Sequence, residues 1–186
     1  MNRRVSSIAG AVVLLLLGAA IALLLARGTG NRNSTTTSES PSVPVLGQRT
    51  KTQSCVAGGA LPDRGCTPGA IFTDATKERI CVSGYSSSVR NVPVEVKNQV
   101  YAEYGIASHA AGQYEVDHLI SLELGGSNDI ANLWPEAASP RPGFHEKDRY
   151  ENYAHDQVCS GQISLQEAQR RIAGDWLKYW TDAGRP

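Results

Sequence analysis

Residues 114–120 read Tyr-Glu-Val-Asp-His-Leu-Ile, residues 124–126 Leu-Gly-Gly, and residues 132–135 Asn-Leu-Trp-Pro. The first stretch alternates, so a strand here puts Tyr114, Val116 and His118 on one face and Glu115, Asp117 and Leu119 on the other. Gly125-Gly126-Ser127-Asn128 is a turn by composition. Residues 130–134 form a second extended piece, which Pro135 is expected to stop. A loop over 137–143 holds two prolines, and a helix is predicted over 144–158, ended by Ser160-Gly161. This strand–turn–strand–helix unit sets the reading of everything around it.

Working outward, residues 93–104 carry Val96, Val100 and Tyr104 at helical spacing, with Pro93 in the first turn. Ser164-Leu165-Gln166-Glu167 is a capping-box start for a last helix, with Ile172, Trp176, Leu177 and Trp180 on its apolar face. Spacing makes Trp176 and Trp180 core residues before a base-stacking platform. Residues 55–92 are rich in turn signals and read as loop. The expected fold class is therefore α+β: a small hairpin inside a mostly helical domain.

Residues 8–26 run for 19 positions without a charged or polar side chain. At about 1.5 Å per helical residue, that nearly spans a hydrocarbon core of about 30 Å. Residues 1–27 are expected to be a signal-anchor or transmembrane segment, with Arg3 and Arg4 holding its start in the cytoplasm. The alternative is secretion after signal cleavage. Residues 28–54 are rich in Ser, Thr, Asn, Gly and Pro with few apolar side chains, a flexible tether by composition. The domain proper is expected over 55–186. Without residues 1–30 the chain keeps 15 basic against 18 acidic side chains, a net charge of about −3. That excludes a polybasic nucleic-acid coat or headgroup binder.

All four cysteines, Cys55, Cys66, Cys81 and Cys159, lie beyond the apolar run, and none is spaced as Cys-x-x-Cys. An even count in an exported domain implies two disulfides. Three pairings are open; the favoured one joins Cys55 to Cys66 and Cys81 to Cys159.

The order Asp117-His118, Gly125-Gly126, Asn132-Leu133, then His145 near a helix start resembles the HNH nucleases, also called ββα-metal or His-Me finger enzymes. The match covers residues 114–149. It departs where Ser121 replaces a usual proline, where about four extra residues precede His145, and where the family's zinc-binding cysteine pairs are missing. The resemblance implies a ββα-metal core and an endonuclease acting on DNA, or RNA, with one divalent ion (Mg²⁺, Mn²⁺ or Zn²⁺) and no organic cofactor. His118 would be the base and Asn132 would orient it. Asp117 and His145 would hold the ion, His145 being preferred over His155. Lys147 or Arg149 would contact phosphate, unless they merely line a solvated helix face. His109 is expected in an exposed loop. The implied protein is tethered to the membrane with its nuclease domain outside the cell. The rival is an exported binding module that kept the fold and lost catalysis.

Overall fold

The computed structural model describes residues 45–186. The expected membrane segment, and the tether up to residue 44, lie outside the described residues. No helix among those described is long and apolar enough to cross a membrane.

Two short helices, α1 (Lys77–Ile80) and α2 (Tyr85–Val89), punctuate the stretch read as loop. α3 (Val94–Glu103) follows, then β1 (Tyr114–His118), β2 (Leu133–Ala137), α4 (Phe144–Cys159) and α5 (Leu165–Asp182). β1 and β2 form a two-stranded antiparallel sheet with Asp117 opposite Trp134, Glu115 opposite Glu136, and Val116 opposite Pro135. The sheet thus runs through Pro135 instead of stopping there. In a two-stranded ribbon, alternate backbone N–H groups point away from the partner, so a proline can occupy such a place without loss.

The hairpin between the strands is not a tight turn. It holds two single-turn 3₁₀ segments, Leu122–Leu124 and Ile130–Asn132, capped by the side chains of Ser121 and Asp129. Gly125 sits at φ 74°, which favours glycine. At Gly126 an added Cβ would lie 1.7 Å from the Ile120 carbonyl oxygen, so no side chain fits.

Tyr150, Ala154 and Val158 of α4 and Ala168, Ile172, Trp176 and Trp180 of α5 meet in the main core, joined by Ile80, Ile120 and Leu124. Each recurs at four-residue spacing, the pattern that buries one helical stripe. Each large side chain buried this way contributes roughly 1.5–3 kcal/mol. The Trp176 indole N–H donates to the Ala60 carbonyl, which places it in the core.

Both disulfides pair as favoured from sequence, Cys55–Cys66 and Cys81–Cys159. The second ties the end of α1 to the end of α4. One boundary shifts. Residues 45–54 belong to the domain and not to the tether: the Gly47 N–H donates to the Gly69 carbonyl at 2.7 Å, and Thr50 and Lys51 donate to that of Gly65. The Arg49 guanidinium pairs with the Glu103 carboxylate. Composition hid this because backbone bonds and two ion pairs, Arg49–Glu103 and Lys51–Asp63, hold the segment down, with Leu46 packed against the core.

Candidate active site

His118 ends β1 and is almost enclosed, 2% exposed. Its Nε2 lies 3.1 Å from Asn128 Oδ1. The orientation of that amide is fixed from behind, because Asn128 Nδ2 donates to the Val89 carbonyl at 2.7 Å. Its Oδ1 also accepts from the Asn91 N–H at 3.2 Å. An oxygen facing the ring can only accept, so Nε2 carries the proton and Nδ1 keeps its lone pair. Burial lowers the His118 pKa, with Asp117 and Asn128 opposing it in part. The imidazole is therefore a neutral base at pH 7.

The orienting residue is Asn128, not Asn132. Asn132 is fully buried and its amide is saturated within the hairpin. Its Oδ1 accepts from Ile120 N at 2.9 Å and Ala70 N at 3.3 Å; its Nδ2 donates to the carbonyls of Ile120 and Ser127, both at 2.9 Å. No bond is left for His118. Asn132 closes the base of the loop that presents Asn128, so it acts on the site through the backbone.

Asp117 points from the opposite strand face toward α4, where Lys147 and Glu151 lie one helical turn apart. Lys147 is fully buried. Its ammonium donates to Asp117 Oδ2 at 2.6 Å, to the His118 carbonyl at 2.7 Å and to the Glu151 carboxylate, which uses all three protons. Burial alone would depress the Lys147 pKa, but Asp117, Glu151 and Glu136 raise it. Lys147 is thus not a phosphate contact: it is spent inside the protein, pinning α4 to the end of β1. Burial would likewise raise Asp117, yet the Lys147 charge and hydrogen bond hold it below its usual value.

Glu136, on the same sheet face, is also fully buried, with Lys147 Nζ 4.0 Å away. Neither of its oxygens receives a bond from an N–H or hydroxyl donor. Burial first, then the nearby Asp117 and Glu151 charges, push its pKa well up despite Lys147. Glu136 therefore holds its proton more tightly than an ordinary carboxyl. Glu151 is raised by burial as well, against the pull of Lys147.

Asp117 is mostly buried, and the further groups that act on it are acidic. Glu115 and Asp148 are exposed at its edge. Glu115 is raised by partial burial, then by Asp117 and Asp148, with His145 and Arg90 opposing. Asp148 is raised by partial burial and by Asp117, against Lys147, His145 and Arg90. His145 is exposed at the start of α4 and stacks on Phe144, with ring centroids 4.3 Å apart. Carboxylates and an imidazole are the ligand types that suit a hard divalent cation completed by water, but no three of these ligand atoms lie within 4.8 Å of one another. Among the described residues, the only three His, Cys, Asp or Glu side chains with ligand atoms within 4.8 Å of one another are Cys81, His155 and Cys159, two of which form a disulfide. His155 is accordingly committed elsewhere, its Nε2 3.2 Å from the Ile80 carbonyl.

Arg90 was not singled out from sequence. It stands exposed between Val89 and Asn91, the two residues that bond Asn128, and its charge reaches His118, Glu115 and Asp148. No local motif marks it, since it lies 28 positions before His118. Arg149 is exposed on α4 with one long contact, 3.4 Å, to Glu146. His109 is exposed, as expected, beside Tyr101. No family model, curated protein or solved structure matches the chain.

Proposed function

We propose that the chain is a metal-dependent endonuclease of the HNH type, hydrolysing phosphodiester bonds of DNA, or of RNA. The observation that carries this reading is the fixed tautomer of His118: a neutral imidazole with Nε2–H held by Asn128, which leaves Nδ1 unprotonated. General-base catalysis needs that state at working pH. In the reaction, Nδ1 takes a proton from water as the water oxygen bonds to phosphorus. The bond from phosphorus to the leaving oxygen breaks, and that oxygen is protonated from solvent. Asp117 and His145 would hold a divalent cation, whose chemistry is to neutralise charge on the phosphoryl oxygens. Arg90 and Arg149, both exposed, would bind phosphate.

A second reading has its own support. His118 is nearly enclosed, and Lys147 already occupies one oxygen of Asp117. Both favour an exported binding module that retains the hairpin and performs no hydrolysis. Nicking of supercoiled plasmid by the full-length chain, with Mg²⁺ or Mn²⁺ and again with EDTA, separates the two. Cleavage that EDTA abolishes supports the enzyme; retained DNA binding without cleavage under any divalent ion supports the module. The two disulfides and the apolar run support an outward-facing, membrane-tethered location.

A further inference from the structure

The Cys81–Cys159 disulfide has a third member. His155 lies one helical turn before Cys159 on α4, and its Nε2 is 3.4 Å from Cys159 Sγ. Both cysteine sulfurs and a ring nitrogen of His155 lie within 4.8 Å of one another, and the two cysteine Cα atoms are 5.7 Å apart. In a tetrahedral zinc site, with bonds of about 2.3 Å to sulfur and 2.0 Å to nitrogen, neighbouring ligand atoms are separated by about 3.5–3.8 Å. The backbone thus already brings two sulfurs and one imidazole to chelating distance.

Two further features surround the trio. A cavity of about 110 Å³ is lined by Cys81, His155 and Glu123, giving entry and room for a fourth ligand, water or a carboxylate oxygen. On the other side of the imidazole, Nδ1 is 3.8 Å from Asp156 Oδ1. A histidine that ligates metal through one nitrogen commonly donates the other N–H to a carboxylate.

We propose that this trio is a metal site whenever the disulfide is reduced, so the joint between α4 and the end of α1 is closed by a disulfide or by a zinc-class divalent ion, never by both. The balance is simple. A dithiol reductant gives two electrons and two protons to the sulfur–sulfur bond, leaving Cys81 and Cys159 as thiols and itself as a cyclic disulfide. The ion then binds both sulfurs as thiolates and releases those two protons. The His155 proton moves from Nε2, where it faces the Ile80 carbonyl, to Nδ1, facing Asp156. Two thiolates neutralise the divalent charge, and the same two points of the chain stay joined. The inference stands apart from the nuclease reading, because it concerns the opposite end of α4.

The test uses the full-length chain, reduced with a dithiol, freed of it without air, and titrated with Co²⁺. One equivalent should give thiolate-to-cobalt charge-transfer absorption and visible bands of tetrahedral intensity, both erased by Zn²⁺. The oxidised chain should show neither. Under reduction, His155→Ala should weaken Co²⁺ binding about tenfold or more, and Asp156→Ala to a lesser degree. An unchanged spectrum in a Cys81→Ser/Cys159→Ser chain would assign the metal to Cys55 and Cys66 and overturn the proposal. So would a reduced chain that binds no cobalt, or one that unfolds and fails to regain its near-ultraviolet dichroism on adding Zn²⁺.

Discussion

At the scale of single residues, two asparagines four positions apart have opposite duties. Asn132 has all its amide bonds inside the hairpin, whereas Asn128 spends its oxygen on His118. Asn132→Ala should therefore destabilise the fold by about 2–3 kcal/mol, since it leaves buried backbone groups unpaired; a denaturant midpoint checks this. Asn128→Ala should leave stability within about 1 kcal/mol and lower turnover at least about tenfold, because the ring loses the acceptor that fixes its tautomer. The Asp117-His118 pair and the Gly-Gly turn were legible in the sequence. The choice of asparagine was not, because spacing says which residues lie in a loop and not which amide turns toward the ring. The pH dependence follows from His118. Its pKa is lowered on folding, so the base form persists below about 6.5, the ordinary histidine value. Activity should fall only at pH below that value. As pH drops through it the unfolded chain binds the proton first, so stability should decline over the same range.

At the scale of elements, α4 carries two buried stripes. Tyr150, Ala154 and Val158 form an apolar one that sequence periodicity finds at once. Lys147 and Glu151 form a charged one; Lys147, read from sequence as a phosphate contact or part of a solvated face, in fact grips the end of β1. A lysine and a glutamate at i, i+4 look alike on a surface and in a core; only the buried Asp117 and Glu136 opposite them decide. Lys147→Met should cost about 3–5 kcal/mol, by stranding two carboxylates without their partner. Glu136→Gln should change stability by less than about 1 kcal/mol, because burial already favours the uncharged carboxyl. A large loss in Glu136→Gln, read by thermal or urea unfolding, would mean that Glu136 is ionised in the fold. Gly126→Ala should cost about 2–3 kcal/mol or more through its clash with the Ile120 carbonyl.

At the scale of the whole molecule, the domain joins a helical core to a small hairpin, and its long-range staple is Cys81–Cys159, spanning 78 residues. The favoured cysteine pairing, one of three left open, is the one formed, and the even cysteine count was readable as two disulfides. The extra ordered residues 45–54 were not, because their composition matches a linker. Replacing Cys81 and Cys159 by serine should lower stability by about 2–5 kcal/mol under oxidising conditions. If the apolar run is retained, the chain should stay with membranes through carbonate extraction, and protease added to intact cells should remove the domain. A mature N-terminus beyond residue 20 would show cleavage instead. The central claim is that His118, kept neutral by burial and held in one tautomer by Asn128, activates water against a phosphodiester. The most direct measurement is plasmid cleavage by His118→Ala beside the unaltered chain, each with its near-ultraviolet dichroism recorded. The account predicts a fall of at least about 100-fold in cleavage rate with a native spectrum. Near-normal cleavage by a folded His118→Ala chain would contradict it.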